Sequence, residues 1–272
     1  MSDVVQMQVS DGVAVLTLNR PERLNAWTQE MEQLYFGMLR DCAADTRVRA
    51  IILTGAGRGF CAGADMQELQ QLGDGSLDGE ELSHTRDPQS LPLSIPKPII
   101  AAVNGACAGL GLVQALMCDI RFAAEGAKIT TAFARRGLVA EHGISWLLPR
   151  LVGPGRALEL LFSGRVVLAQ EALELGLVNR VFAPERLLEA SIDYAMDLAT
   201  HCSPASMAAM KGQVYADLEK GLREATADAD RLMLRSFGAA DFAEGVQSFL
   251  ERRDPRFAPL AATEHALSAP RA

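Results

Sequence analysis

The chain has 272 residues, of which 49% are hydrophobic and 22% are charged, the composition of an ordinary globular protein. Its formal net charge is −8. Nucleic-acid-binding proteins typically carry an excess of basic residues, so we expect no nucleic-acid partner. The amino-terminal residues show no basic segment followed by an apolar run, and no apolar stretch reaches the roughly 18 residues of a membrane span. We therefore expect a cytoplasmic protein with no signal peptide and no membrane contact.

The first part of the chain predicts strands that alternate with helices. Residues 4–21 predict two strands around an Asp-Gly turn. Residues 25–45 predict a helix, because their apolar side chains recur at helical spacing. Residues 50–54 predict a buried strand that runs into a glycine-rich loop, and residues 64–72 begin a short helix.

The next part repeats this order after an irregular segment. Residues 73–92 are polar and rich in Gly, Asp and Ser, which predicts a mobile loop. Residues 97–105 then predict a strand, residues 110–119 an apolar helix and residues 120–124 a further strand. The repeated order of strand, loop and helix indicates an α/β fold with mainly parallel strand pairing.

From about residue 184 onward only helical patterns remain. The last helix is predicted to open with a capping box, in which Asp241 is the N-cap and Glu244 stands three residues later. We divide the chain into an α/β core over residues 1–200 and a helical region over residues 201–272.

Five cysteines are present, an odd number, and no two of them have CxxC spacing. We therefore expect reduced thiols rather than a disulfide framework, and we expect no metal site. Cys107 lies between two small residues and is interpreted as a core residue rather than a nucleophile.

Two glycine-rich loops, at residues 55–65 and 104–111, follow predicted buried strands. Small residues at these strand ends let a ligand atom approach backbone N–H groups. Three interpretations are open: a nucleotide phosphate loop, ordinary turns, and a pair of N–H donors for an oxyanion. The first fits poorly, because neither loop has GxGxxG spacing or a Gly-Lys-Ser/Thr sequence.

Five stretches together resemble one enzyme family: residues 18–26, 50–69, 97–129, 172–182 and 243–257. In this order they are similar to the crotonase superfamily, the enoyl-CoA hydratase/isomerase family. The resemblance implies a crotonase (ClpP-like) fold of repeated β-β-α units with a carboxy-terminal helical trimerisation region. It also implies an acyl-CoA thioester substrate, no cofactor apart from the coenzyme A of that substrate, and a homotrimer or hexamer.

The family stabilises a thioester enolate with two backbone N–H groups, which the resemblance assigns to Ala64 and Leu110. Family members usually have glycine at the second of these positions. Asp65 follows the first donor and is interpreted mainly as a cap of the next helix. The backbone around both donors is assigned to substrate binding, at Ala62, Gly63, Asp65, Gly109 and Gly111.

The CoA moiety is expected to lie across the segment that contains Arg23 and Ala26, with Arg23 as a candidate phosphate contact. A solvated surface arginine is an equal alternative. Phe249, Arg252 and Arg253 are candidates for the adenosine end, although an ordinary surface role is favoured for all three.

The sequence departs from the resemblance at the two positions where family hydratases carry glutamates. These positions are Val113 and Phe133, and neither side chain transfers a proton. Gln114 adjoins the first position but is not an acid.

Glu141 and His142 are adjacent in an otherwise apolar segment punctuated by glycines. Some isomerases of the superfamily resemble this segment and carry a glutamate at the spacing that Glu141 has from Gly137. The resemblance thus assigns Glu141 as a single catalytic base and His142 as its neighbour in the substrate site. A carboxylate at a helix start, or a partner for Arg135 or Arg136, is the alternative interpretation.

Three functions stay open. The favoured one is enoyl-CoA double-bond isomerisation with Glu141 as the base. The second is enoyl-CoA hydration, in which Glu141 and His142 would replace the missing glutamates. The third is acyl-CoA binding without catalysis.

Overall fold

The computed structural model describes residues 4–74 and 88–260. Over these ranges the chain forms ten strands in two sheets. The strands are, in chain order, β1 (Val5–Ser10), β2 (Val13–Leu18), β3 (Ala50–Gly55), β4 (Gly59–Cys61), β5 (Ile99–Val103), β6 (Ala106–Ala108), β7 (Ile120–Ala124), β8 (Lys128–Thr130), β9 (Val167–Leu168) and β10 (Arg180–Phe182).

The larger sheet has the strand order β1-β2-β3-β5-β7-β10. β1 and β2 pair in antiparallel, and each following pair in this sheet is parallel. The smaller sheet has the order β4-β6-β8-β9, in which β4 and β6 are parallel neighbours. The predicted α/β fold with mainly parallel pairing is therefore confirmed. β4 lies within the first glycine-rich loop and β6 within the second. Because these two strands are parallel neighbours, the parts of the loops that follow them leave the sheet side by side.

Helices surround both sheets. The predicted helix over residues 25–45 is confirmed as α1, which begins after Thr28, whose Oγ1 accepts a hydrogen bond from the Met31 N–H at 3.2 Å. The helices of the described ranges are α1 (Gln29–Ala44), α2 (Met66–Gly73), α3 (Leu91–Ser94), α4 (Leu110–Met117), α5 (Ile144–Val152), α6 (Pro154–Ser163), α7 (Ala169–Leu175), α8 (Leu187–His201), α9 (Pro204–Asp217), α10 (Leu222–Phe237) and α11 (Ala240–Glu251).

The larger sheet carries an apolar core on each face. All six residues of β3 are buried, and successive side chains of a strand point to opposite faces. Ile51 and Leu53 belong to the main core together with Phe36 of α1. Ile52 belongs to a second core together with Leu187 of α8. This double burial fixes β3 and holds the strand ends near the glycine-rich loops in place.

After β10 the described chain contains helices and their connections only. Several apolar side chains on the last three helices are exposed, among them Val214 (60%), Leu222 (85%), Leu234 (66%), Phe249 (82%) and Leu250 (70%). The trimerisation role of this region and the division at residue 200 stay predictions.

The predicted capping box of the last helix is wrong. α11 follows Ala239, which provides no capping side chain. Asp241 instead accepts a hydrogen bond from the Ser203 hydroxyl, and Glu244 forms an ion pair with Arg253. These partners are distant in sequence or lie beyond the helix end, so a local capping pattern could not reveal them.

Two further expectations concern the central loop and membranes. The predicted loop over residues 73–92 falls largely on residues 75–87, which lie outside the described ranges. Among the described helices, none combines the length and apolarity needed to cross a lipid bilayer.

Candidate active site

A cavity of about 520 Å³ lies where the two glycine-rich loops meet. Side chains or backbone from five separate parts of the chain line it. The predicted site residues among them are Arg23, Ala26, Ala62, Gly63, Ala64, Asp65, Gly109, Leu110, Glu141 and His142.

The first loop is held by a short parallel bridge between Trp27 and Ala64. The Trp27 N–H donates to the Gly63 carbonyl, and the Asp65 N–H donates to the Trp27 carbonyl, each at 2.8 Å. Gly63 has φ = +103°, a conformation that favours glycine. The Ala64 N–H lies between these two bonds and donates to no acceptor in the described part of the chain. It is therefore available to an atom in the cavity.

The second loop places another backbone donor at a helix start. Gly109 has φ = +48°, and its N–H donates to the Thr130 carbonyl at 3.1 Å. Leu110 is the first residue of α4, so its N–H has no acceptor within the helix, and the other described residues provide none. The helix dipole adds partial positive charge at this end. The Leu110 side chain packs against the main core and also contributes to the cavity lining.

The two loops are in close contact. A Cβ atom added at Gly63 would stand 3.1 Å from the Ala108 carbonyl oxygen, and one added at Gly109 would stand 4.0 Å from Gly63 Cα. Backbone packing at this distance brings both loops against one cavity. The arrangement matches a pair of fixed N–H donors, the interpretation that the sequence left open beside ordinary turns.

Gly111 does not belong to the cavity lining, which corrects its assignment to substrate binding. It lies inside α4 against the end of β4, where an added Cβ would stand 2.2 Å from the Cys61 carbonyl oxygen. Glycine is therefore required at this position for packing of the helix on the strand.

Asp65 caps α2, as interpreted from the sequence. Its Oδ1 accepts a hydrogen bond from the Gln67 N–H at 2.9 Å, and its Oδ2 lies 3.0 Å from Arg20 Nη1. Burial acts to raise the pKa of this carboxyl group, but the hydrogen bonds from Gln67 and Arg20 outweigh burial and the pKa is lowered. Asp65 therefore stays ionised and bound to protein groups.

Glu141 lies in the turn before α5. Its carbonyl accepts a hydrogen bond from the Ile144 N–H at 3.0 Å, and His142 follows it with φ = +55°. The alternative ion pair with the nearby arginines is absent among the described residues. Arg135 donates instead to the Ser163 carbonyl at 2.7 Å, and Arg136 donates to the Ala132 carbonyl at 3.3 Å.

Three carboxylates line the cavity within the described ranges, and two of them are bound to other groups. Asp65 holds Arg20 and the start of α2. Glu68 accepts hydrogen bonds from the Gln29 N–H at 3.1 and 3.2 Å. The carboxylate of Glu141 forms no hydrogen bond or ion pair with a described residue. It is therefore the lining carboxylate that is available to take a proton.

The two positions that carry glutamates in family hydratases have different surroundings. Val113 is fully buried in the core and does not line the cavity. Phe133 is also buried but lines the cavity wall with Leu138 and Leu110. The cavity wall is thus apolar at Phe133, where the resemblance places the second glutamate of family hydratases.

The thiols near the loops fit the prediction of reduced core cysteines. Cys61 and Cys107 are register partners on β4 and β6, and both are fully buried. Burial raises the pKa of Cys61 to about 12 and that of Cys107 well above its ordinary value. A thiol that is protonated and buried does not act as a nucleophile.

The predicted contacts to the CoA moiety divide into two groups. Arg23 and Ala26 line the cavity, and Arg23 is exposed at the end of a short 3-10 turn. Phe249, Arg252 and Arg253 do not line it. Arg253 forms ion pairs with glutamates of α11, and the Phe249 side chain is largely exposed.

Sequence reasoning missed most of the apolar lining. Met66, Leu69 and Leu72 of α2 form one wall at a three-residue spacing, which is the signal that could have identified it. Trp27 lines the cavity from the segment before α1, and no local motif marks it.

A second cavity of about 650 Å³ adjoins the first at His142, which lines both. Its walls come from the segment around Gln89, from Met117 and Trp146, and from Ala208 on α9. The cavities thus meet at the turn that carries Glu141.

The fold has close counterparts among solved structures. The structure is similar to the crystal structure of a probable enoyl-CoA hydratase/isomerase from Mycobacterium abscessus, with a TM-score of 0.86 and 33% sequence identity. The similarity covers 94% of this chain and 99% of that one. The two-sheet arrangement and this likeness define a crotonase-fold protein.

Sequence comparison gives the particular family. The chain belongs to the enoyl-CoA hydratase/isomerase family of enzymes, whose family model matches residues 8–259. It is 37% identical over 261 residues to a 1,2-epoxyphenylacetyl-CoA isomerase from Escherichia coli, covering 94% of this chain and 99% of that protein. It is 38% identical over 258 residues to a probable enoyl-CoA hydratase from Rhodobacter capsulatus, covering 93% of this chain and 97% of that protein.

Proposed function

We propose that this protein is an enoyl-CoA double-bond isomerase that uses Glu141 as its single base. One observation carries the proposal: of the three carboxylates that line the cavity in the described ranges, Asp65 and Glu68 are bound to protein groups and Glu141 is not. Moving a double bond consumes no water and requires one group that removes a proton and returns it.

The reaction proceeds through an enolate. The thioester oxygen of a 3-enoyl-CoA accepts hydrogen bonds from the Ala64 and Leu110 N–H groups. Glu141 removes a proton from the α-carbon, and the electron pair moves into the thioester to form a dienolate. The protonated Glu141 then delivers the proton to the γ-carbon, which leaves the double bond conjugated with the thioester and Glu141 ionised. Loss of one such N–H donor typically costs about 2.7–4 kcal/mol of barrier.

The acyl group extends past His142 into the second cavity. His142 lines both cavities, and the segment around Gln89 borders the second one. The CoA moiety leaves the first cavity beside Arg23 and Ala26. The scheme requires no cofactor, because coenzyme A is part of the substrate, and the protein acts in the cytoplasm as a homotrimer or hexamer.

Enoyl-CoA hydration is the second candidate. His142 lines the same cavity as Glu141 and offers a second group to orient water. The relative from Rhodobacter capsulatus is named as a probable hydratase, whereas the one from Escherichia coli is named as an isomerase of an epoxyphenylacetyl thioester. Acyl-CoA binding without turnover is the remaining alternative.

Ultraviolet absorbance of the conjugated thioester tests these alternatives. Purified protein receives a 3-enoyl-CoA in one assay and a 2-enoyl-CoA in another. An isomerase increases the absorbance in the first assay, and a hydratase decreases it in the second. Tight binding of both esters without an absorbance change would favour the non-catalytic alternative. A parallel assay with an epoxyphenylacetyl-CoA tests the substrate class named for the relative from Escherichia coli.

A further inference from the structure

A buried carboxylate on α1 receives two hydrogen bonds beside the candidate site. Glu32 is 2% exposed, and its Oε2 accepts from Trp27 Nε1 at 3.0 Å and from Gln89 Nε2 at 2.6 Å. Gln89 Oε1 in turn accepts from Gln114 Nε2 at 2.6 Å. Glu32 itself does not line the cavity. The chain Trp27, Glu32, Gln89 and Gln114 forms a continuous buried network.

One end of this network is hydrogen-bonded to the segment that carries the first proposed enolate donor, and the other end lies on the helix that carries the second. Trp27 holds both sides of Ala64 through its backbone N–H and carbonyl. Gln114 lies on α4, one turn after Leu110. Glu32 joins the two ends because Trp27 and Gln89 donate to the same oxygen. The network therefore ties together the two backbone segments that present the Ala64 and Leu110 N–H groups.

Aromatic packing also contacts the ring of Trp27. The indole makes an edge contact with Tyr35 at 5.5 Å between ring centroids and a tilted contact with Phe36 at 6.4 Å. A buried carboxylate is costly unless hydrogen bonds compensate it, and an apolar side chain would fill the same space without that cost. The hydrogen bond to the carboxylate restricts the orientation of the indole ring. It thereby restricts the position of the Trp27 backbone.

We propose that Glu32 is a positioning residue for enolate stabilisation, acting through Trp27 on the Ala64 N–H. This inference rests on the proposed role of the Ala64 and Leu110 N–H groups. It requires an acceptor at the Glu32 Oε2 position, and it does not require Glu32 to touch the substrate. A glutamine with its Oε1 at that position keeps both hydrogen bonds, whereas a leucine leaves both donors without an acceptor.

The test compares Glu32→Leu with Glu32→Gln in two measurements. The first is kcat and KM with a 3-enoyl-CoA. The second is the enolate absorbance of bound acetoacetyl-CoA, which reports stabilisation of the enolate without any turnover. Leu39→Val, a core change two turns further along α1, is the control for lost stability. Acrylamide quenching in a Trp146→Phe background, where Trp27 is the one remaining tryptophan, reports whether the indole has loosened.

Glu32→Leu should lower kcat and the bound enolate fraction by about tenfold, less than the loss of a whole donor, with KM changed by less than about threefold. It should also increase the quenching of Trp27. Glu32→Gln and Leu39→Val should retain kcat and enolate fraction within about threefold. If Glu32→Leu does not fold, Trp27→Phe removes the indole N–H, keeps an aromatic ring, and should reduce the enolate fraction in the same way.

Unchanged enolate absorbance in Glu32→Leu, or equal losses in Glu32→Leu and Glu32→Gln, would overturn the proposal. So would the absence of an enolate band in the unsubstituted protein. If that protein binds acetoacetyl-CoA as the enolate but turns over neither enoyl-CoA, the proposed isomerase function fails and the enolate measurement still decides the role of Glu32.

Discussion

The chemistry of the candidate site depends on how each carboxylate is already used. Asp65 and Glu68 resemble Glu141 in sequence as acids near a glycine-rich loop or a helix start. Their hydrogen bonds to Gln29, Gln67 and Arg20 remove them from consideration as bases. A sequence shows which acids are present, but not which backbone N–H groups occupy their oxygens. The structure, in addition to the resemblance, is therefore what distinguishes Glu141 from Asp65 and Glu68 as a candidate base.

Glu141→Gln should reduce turnover of a 3-enoyl-CoA by about 10²–10⁴-fold, the range typical of a lost general base. Binding of the CoA ester should stay within about threefold, because the amide keeps the size of the side chain. The measurement is kcat together with the Kd of a saturated acyl-CoA by calorimetry. Glu125→Gln, in the exposed turn after β7, is the matched control and should retain full activity. Turnover in Glu141→Gln close to that of the control would show that another group is the base.

At the scale of elements, the order of strands and helices was predictable, because buried strands and amphipathic helices have distinct periodicities. The proximity of the two glycine-rich loops to each other was not predictable from periodicity. It depends on the pairing of β4 with β6, which have only three residues each. The capping box failed for a related reason: Asp241 is engaged by Ser203, 38 residues away. Short elements and long-range polar contacts leave little local signal.

Gly111→Ala tests the contact between α4 and β4. The added Cβ would meet the Cys61 carbonyl at 2.2 Å, and this backbone atom has little freedom to move. We expect a loss of about 3 kcal/mol or more in the free energy of unfolding, measured by chemical denaturation. Gly155→Ala on α6 meets nothing within 4 Å and should be neutral or add up to about 1 kcal/mol. Equal stability of the two variants would contradict the packing role assigned to Gly111.

Asp65→Ala tests the cap of α2 and its pH dependence. The folded-state pKa of Asp65 is lowered, so its contribution is fully present above the unfolded pKa of about 4 and is lost as the pH falls through the folded value. The variant should therefore be less stable by about 1 kcal/mol at neutral pH. The difference from the unsubstituted protein should shrink in acid. Denaturation at several pH values measures this, with the exposed Asp193→Ala on α8 as the control. A difference that does not depend on pH would argue against the ionised cap.

At the scale of the whole molecule, the carboxy-terminal helices expose several large apolar side chains to solvent. Leu222, Leu234, Phe249 and Leu250 are each more than 60% exposed. Large exposed apolar patches mark surfaces that meet another protein. The predicted homotrimer or hexamer provides such a partner, a further copy of this chain.

Sedimentation should therefore give a mass three or six times the 29.2 kDa of one chain. Leu234→Asp introduces a charge on the exposed face of α10 and should shift the distribution toward smaller species, because a buried unpaired charge is costly at an interface. Val9→Asp places the same charge at an exposed apolar position of β1 and should leave the mass unchanged. A monomer before substitution would contradict the predicted assembly.

The phenyl ring of Phe133 affects whether the transferred proton exchanges with solvent. Together with Leu110 and Leu138 it presents hydrocarbon on the cavity wall, at a position where the resemblance places a glutamate in family hydratases. We expect the proton on Glu141 to return to the substrate faster than it exchanges with solvent, because no carboxylate at position 133 holds water there. In deuterium oxide, the product should therefore keep mostly light hydrogen at its γ-carbon, as read by NMR. Phe133→Glu should increase the deuterium content by bringing solvent to the wall. The hydrogen would then move from the α-carbon to the γ-carbon without exchanging with water.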